Sequence, residues 1–187
     1  MTDTAPVRTR RFTSAEVWVH GAFALLVGVG IITAALLYID PLSVLVGRRA
    51  LVADVHLWAG LLAPIPLALG LLLSGAFRAD VRRLDTFDDG DRRWLRRRDR
   101  RQLPVDRFNA GQKLNAAFTL GAVLVLLGTG VVMAGLLVNA PDDLRTGATF
   151  VHDWAAIGLT AAVAGHLYFV RRYGRGDASS PRTSSAS

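Results

Sequence analysis

Four long apolar runs constrain this chain more than any other feature of its sequence. Each exceeds the roughly 20 residues that a helix needs to cross a hydrocarbon layer of about 30 Å. Polar stretches separate the runs, so the hydrophobic residues (51%) and the charged residues (20%) are segregated into blocks. The pattern predicts an all-α integral membrane four-helix bundle, with spans at about residues 17–38, 51–77, 114–138 and 149–170.

The runs are typical of helices rather than of barrel strands. They lack period-two alternation, and a strand that crosses a bilayer is about half as long. The first run is not predicted to be a cleaved signal peptide, because no small-residue cleavage site follows it and Asp40-Pro41 is typical of a helix end. Pro64 and Pro66 predict a bend in the second helix.

The basic residues predict the orientation of the bundle. The N-terminal segment, the second connection and the C-terminal tail together hold 19 of the 22 Lys and Arg residues. By the positive-inside rule, the N- and C-termini are both cytoplasmic. The net charge of +7 does not indicate nucleic-acid binding, because the basic residues flank apolar runs instead of forming one soluble face. Residues 174–187 are Ser-rich and predict a disordered polar tail after a single domain of residues 1–173.

All four histidines of the chain lie inside apolar runs. Ionisable groups within a bilayer are costly and usually mark functional sites. His20 and His166 lie near the cytoplasmic face, whereas His56 and His152 lie near the outer face. His152 and His166 are 14 residues apart in one helix. That spacing is about 21 Å of rise and returns to within about 40° of the same direction. The positions therefore predict one histidine pair near each face.

A histidine pair at each level predicts two haem b groups. His56 and His152 are the predicted axial ligands of the outer haem, and His20 and His166 are those of the inner haem. Iron with two histidine ligands has no open position, which suits electron transfer. The absence of cysteine excludes c-type attachment and cysteine-ligated Fe–S clusters. For any single histidine, the alternative is a hydrogen-bonded interhelical group without a cofactor.

The placement of the histidines (one in the first span, one in the second and two in the fourth) and three sequence segments resemble those of a known family. The segment Asn109-Ala110-Gly111-Gln112-Lys113, at the start of the third span, resembles a signature of the b-type cytochrome (gamma) subunit of membrane-bound formate dehydrogenase. That subunit lies within the broader prokaryotic di-haem cytochrome b561-like group, and the segments 151–154 and 165–168 also fit it. The resemblance covers about residues 10–173. It implies a multi-pass protein of the prokaryotic plasma membrane.

The resemblance also implies a role in a larger complex. Such a subunit takes electrons from an Fe–S subunit at the outer face and passes them to quinone near the cytoplasmic side. The catalytic molybdenum or tungsten centre lies in another subunit, so no residue of this chain is expected to be catalytic for the primary substrate. Carried onto this sequence, the resemblance implies that Asn109, Gly111 and Gln112 line the quinone site. The alternative for these three residues is the turn and N-cap of the third helix.

Other functions stay open on the sequence alone. One is a b561-type subunit that serves a hydrogenase or another oxidoreductase. Another is a stand-alone b561 electron carrier that needs no Fe–S partner. A third, from a different class, is a haem-free membrane transporter or assembly factor that uses its histidines for a metal or for protons.

Overall fold

The computed structural model describes residues 12–96, 107–136 and 140–173, and the regular elements in these ranges are all helices. The N-terminal arginines and the predicted disordered tail of residues 174–187 lie outside the described residues. The helices are α1 (Ser14–Tyr38), α2 (Asp40–Leu45), α3 (Arg49–Leu62), α4 (Pro64–Leu73), α5 (Gly75–Asp85), α6 (Asp89–Arg96), α7 (Ala110–Met133) and α8 (Asp142–Tyr173).

Four helical segments are long and apolar enough to cross a membrane: Ser14–Tyr38, Arg49–Leu73, Ala110–Met133 and Asp142–Arg172. Between 6% and 22% of the residues in their apolar windows are buried. Most of their apolar side chains therefore face outwards, which suits hydrocarbon surroundings, where helices satisfy their own backbone hydrogen bonds. The predicted all-α membrane fold with four spans is confirmed.

Helix α1 begins before the apolar run because of a capping box. Thr13 Oγ1 accepts the backbone N–H of Glu16 at 3.3 Å, and the Glu16 carboxylate accepts the N–H of Thr13 at 2.7 Å. This reciprocal arrangement satisfies two N–H groups that the first turn of a helix cannot satisfy itself. The helix consequently starts at Ser14, outside the run predicted from hydropathy.

The second span is divided at its prolines, as the sequence predicts. Helix α3 ends at Leu62, and α4 begins at Pro64. A proline lacks a backbone N–H and clashes with the preceding turn, so it interrupts the hydrogen-bond ladder of a helix. The span ends at Leu73 rather than at the predicted Phe77, because Ser74 Oγ accepts the Phe77 N–H at 3.2 Å and starts α5.

Helix α7 ends in a Schellman motif. Gly135 adopts a positive φ of 66°, which favours glycine. Its N–H donates to the carbonyl of Val132, and the N–H of Leu136 donates to the carbonyl of Val131, each at 3.2 Å. These two bonds satisfy carbonyls that the last turn leaves without a partner. Helix α8 begins at Asp142, before the predicted span start at residue 149, because a helix can continue into polar sequence.

The chain divides into two compact units, Met1–Arg92 and Arg93–Ser187. In the first, α1 packs along α3 and α4, and we call these three helices the first hairpin. Gly70 permits this packing, since a Cβ there would lie 2.9 Å from side-chain atoms of Val19 and Phe77. In the second unit, α7 packs along α8 and forms the second hairpin. Each hairpin thus contains two membrane-crossing segments.

Candidate functional site

His56 lies in α3 and is held against α1. Its Nδ1 lies 3.0 Å from Thr33 Oγ1 and 3.1 Å from the carbonyl oxygen of Gly30. A carbonyl oxygen can only accept a hydrogen bond, so Nδ1 carries the ring proton. The Thr33 hydroxyl donates to the carbonyl of Val29 at 2.7 Å and can accept the same proton. With the proton on Nδ1, Nε2 is the ring nitrogen left to ligate a metal.

The second hairpin repeats this arrangement at His152. Its Nδ1 lies 2.9 Å from Thr129 Oγ1, and that hydroxyl donates to the carbonyl of Val125 at 2.7 Å. If Thr129 Oγ1 donated its proton to the ring instead, this oxygen and the carbonyl oxygen of Val125 would lie 2.7 Å apart without a hydrogen between them. His152 therefore also carries its proton on Nδ1. In both hairpins the histidine follows its threonine by 23 residues.

The other two histidines lie at the opposite end of each hairpin along the helix axes, and we call the two ends its levels. His20 lies in the first turns of α1, and His166 lies in the last turns of α8. Both side chains are exposed, whereas those of His56 and His152 are half-buried. Each hairpin therefore carries one histidine at each of two levels. The structure brings no predicted pair together within one hairpin, so the pairing of ligands between hairpins stays a prediction.

The three predicted quinone residues lie at the start of α7, where they form a helix cap. Asn109 Oδ1 accepts the N–H of Gln112 at 2.9 Å, and Gln112 Oε1 accepts the N–H of Asn109 at 3.0 Å. A Cβ on Gly111 would lie 3.0 Å from the Trp94 ring, so a side chain here would force that ring to move. The structure thus shows the capping role. These bonds use the oxygen of each amide and not its NH2 group.

Comparison with protein families decides the class of the molecule. The family model described as prokaryotic cytochrome b561 matches residues 11–181 of the 187 residues. The chain belongs to the prokaryotic cytochrome b561 family. Comparison with curated protein sequences gives no match.

Family membership establishes the broad function of this b561 cytochrome. It is a multi-pass plasma-membrane protein that binds haem b and transfers electrons. The predicted b561-like class, haem b binding and membrane location are confirmed. The formate dehydrogenase identity, the number of haems and the quinone site stay predictions.

The surroundings of the histidines fit a haem macrocycle. Gly60 lies one turn after His56, and a Cβ there would meet nothing within 4 Å. The same is true of Gly165, next to His166. A Cβ on Gly130 would lie 3.5 Å from Cε1 of His152, which is an ordinary van der Waals contact and places Gly130 beside that ring. Imidazoles with small residues beside them are a donor set that fits a b-type haem.

Thr33 and Thr129 are site residues that the sequence reasoning missed. A threonine does not interrupt an apolar run, so hydropathy gives no sign of them. An internal repeat of the sequence is the signal that finds them. Each residue of the second hairpin lies the same number of positions after its counterpart in the first, and the counterparts are Thr13 and Asn109, Thr33 and Thr129, His56 and His152, and Trp58 and Trp154.

The repeat does not extend to the histidines of the other level. The same interval relates His20 to Ala116 and Gly70 to His166. His56 and His152 therefore lie at equivalent positions of the two hairpins, whereas His20 and His166 do not.

Proposed function

We propose that this b561 cytochrome is the di-haem membrane subunit of a formate dehydrogenase-like complex. It accepts electrons from an Fe–S subunit at the outer face and delivers them to quinone near the cytoplasmic side, where both termini lie. The catalytic molybdenum or tungsten centre belongs to a partner subunit. The observation that carries the proposal is the placement of one histidine at each of two levels in each hairpin.

This placement supports the ligand assignment. His56 and His152 hold the outer haem, and His20 and His166 hold the inner haem. His56 and His152 each place Nδ1 against a threonine hydroxyl and lie at equivalent positions in their hairpins, which supports their action as one pair. Bound haem b supplies a one-electron carrier, and two histidine ligands leave the iron no open position.

The choice of formate as the electron source has one support. It is the resemblance of the Asn109–Lys113 segment to the signature of the formate dehydrogenase gamma subunit. A hydrogenase or another oxidoreductase as partner, and a stand-alone b561 carrier, are the competing assignments. Membership of a haem-binding family disfavours the haem-free transporter.

The haem content of the purified protein tests the proposal first. Because four histidines form two ligand pairs, a pyridine haemochrome assay should give about two haem b per chain. Formate should then reduce both haems in membranes that also contain the partner subunits. One haem per chain would contradict the assignment of the two pairs. Reduction by hydrogen but not by formate would favour the hydrogenase alternative, and reduction by a small molecule without an Fe–S partner would favour the stand-alone carrier.

Acidic replacements separate the two roles of the α7 cap. Asn109→Asp and Gln112→Glu keep the oxygen acceptors of the capping box and remove the NH2 donors. Aspartate caps a helix about as well as asparagine does. A buried quinone carbonyl that loses its donor costs about 1–3 kcal/mol, so we expect quinone reduction to slow roughly tenfold or more at unchanged haem content. Stopped-flow oxidation of the reduced cytochrome by a quinone analogue measures the rate.

The equivalent cap of α1 supplies the control. Glu16→Gln keeps an oxygen acceptor for the Thr13 N–H and exchanges a carboxylate for an amide in the other hairpin. This variant should reduce quinone at the rate of the unmodified protein. Unchanged quinone turnover in both Asn109→Asp and Gln112→Glu would leave these residues with the capping role alone.

A further inference from the structure

Two threonines contact the ring nitrogens of the predicted outer ligands. We infer that Thr33 and Thr129 are positioning residues, which orient the imidazoles of His56 and His152 and set the redox potential of the haem that they ligate. The inference rests on the proposed ligand assignment. It concerns two hydroxyl groups that bind no iron themselves.

Each hydroxyl is itself fixed in direction. Thr33 Oγ1 donates to the carbonyl of Val29 within α1, and Thr129 Oγ1 donates to that of Val125 within α7, both at 2.7 Å. With the proton committed to the backbone, the remaining lone pairs of the oxygen have a defined orientation. The ring N–H of the histidine on the neighbouring helix meets that oxygen at 3.0 Å or 2.9 Å. The backbone of one helix thereby fixes the rotation of a ring on the next.

The hydrogen bond also changes the ring as a ligand. An acceptor on Nδ1–H increases the basicity of Nε2, and partners of this kind tune the metals that histidines bind. A more basic imidazole stabilises ferric iron more than ferrous iron, so the bond lowers the midpoint potential. Loss of the hydroxyl should therefore raise the potential of the outer haem and leave the inner haem unchanged.

His56 Nδ1 has a second acceptor, the carbonyl oxygen of Gly30 at 3.1 Å. A ring that loses the Thr33 hydroxyl can keep this bond. Loss of the Thr33 hydroxyl should therefore weaken the contact that orients the His56 ring without abolishing it.

The test uses Thr33→Val and Thr129→Val, because valine keeps the shape of threonine and removes the hydroxyl. Potentiometric titration of the purified cytochrome, followed in the haem α-band, should show a raised potential for one haem in Thr129→Val. We expect a roughly tenfold change in its oxidation equilibrium, which corresponds to about 59 mV for one electron. Thr33→Val should shift the potential of the same haem in the same direction. Thr129→Ser restores the hydroxyl and should restore the potential.

Thr160 provides a matched control. Its hydroxyl makes the same bond to the preceding turn, to the carbonyl of Ala156 at 2.8 Å, and its side chain is exposed. Thr160→Val should leave both potentials unchanged.

Each outcome separates this inference from the proposed function. If the unmodified protein holds two haems and the potentials of Thr129→Val equal those of Thr160→Val, the positioning role is wrong and the proposed function stands. Loss of one haem from Thr129→Val but not from Thr129→Ser supports the positioning role. If the two valine variants each shift a different haem, the positioning role stands and the pairing of His56 with His152 is wrong. An unmodified protein without haem would overturn both.

Discussion

His166→Ala should leave about one haem b per chain and stop quinone reduction. Under the proposed assignment, the variant removes one of the two axial ligands of the inner haem, so we expect that haem to be lost. Loss of groups that merely orient a metal ligand costs about 10–100-fold, so loss of the ligand itself should reduce quinone turnover by more than about 100-fold. The outer haem should still be reduced by the electron donor, because His56 and His152 are intact. Haem content and steady-state reduction spectra in membranes measure both effects.

A matched change on the same helix controls for damage to α8. Thr160 lies between His152 and His166, and the Thr160→Val variant should keep two haems and full quinone turnover. Full haem content in His166→Ala would remove this residue from the ligand set. Loss of both haems, with Thr160→Val intact, would show that the inner ligand is needed for assembly of the whole site.

His152→Ala should give the complementary result. Under the proposed assignment it removes a ligand of the outer haem, so haem content should again fall to about one per chain. Reduction by the outer electron donor should then fall by more than about 100-fold, because the first carrier on the path is missing. The inner haem should still be reduced by added quinol, which approaches from the other side. Donor-driven and quinol-driven reduction spectra, recorded on the same membranes, distinguish the two directions.

Trp154→Phe is the control for this second variant, since Trp154 lies on the same helix with an exposed side chain. It should retain both haems and both routes of reduction. If His152→Ala lost quinol-driven reduction and kept donor-driven reduction, the depths of the two haems would be the reverse of those proposed.

The fold could be predicted from the sequence because the bilayer imposes a simple length requirement. Apolar runs of 20 residues or more give the number of spans, and Pro64 with Pro66 gives the interruption of the second. Helix ends were less predictable, since hydropathy records only the part of a helix that lies in hydrocarbon. The capping box of Thr13 and Glu16 and the N-cap Ser74 are local signals that mark ends which the apolar runs do not.

The site could be predicted in part. The histidines are conspicuous because each is the rare ionisable group in an apolar helix, and family membership confirms the cofactor class. Thr33 and Thr129 could not be found from hydropathy, because a hydroxyl that bonds to its own helix costs little in an apolar environment. The residues of the α7 cap were found from the sequence, but their role was not. The capping box explains why Asn109 and Gln112 occupy these positions, so a role in quinone binding has to be tested by experiment.

Each hairpin packs within itself and, under the proposed pairing, supplies half of the ligands for both haems. The cofactors would then act as cross-links between the two halves of the chain. A ligand that binds only the folded, assembled form stabilises that form by mass action. Cells short of haem should therefore accumulate less of this protein, because hairpins that are not joined by a cofactor are more open to proteolysis. Haem supply would then set the abundance of the cytochrome as well as its activity.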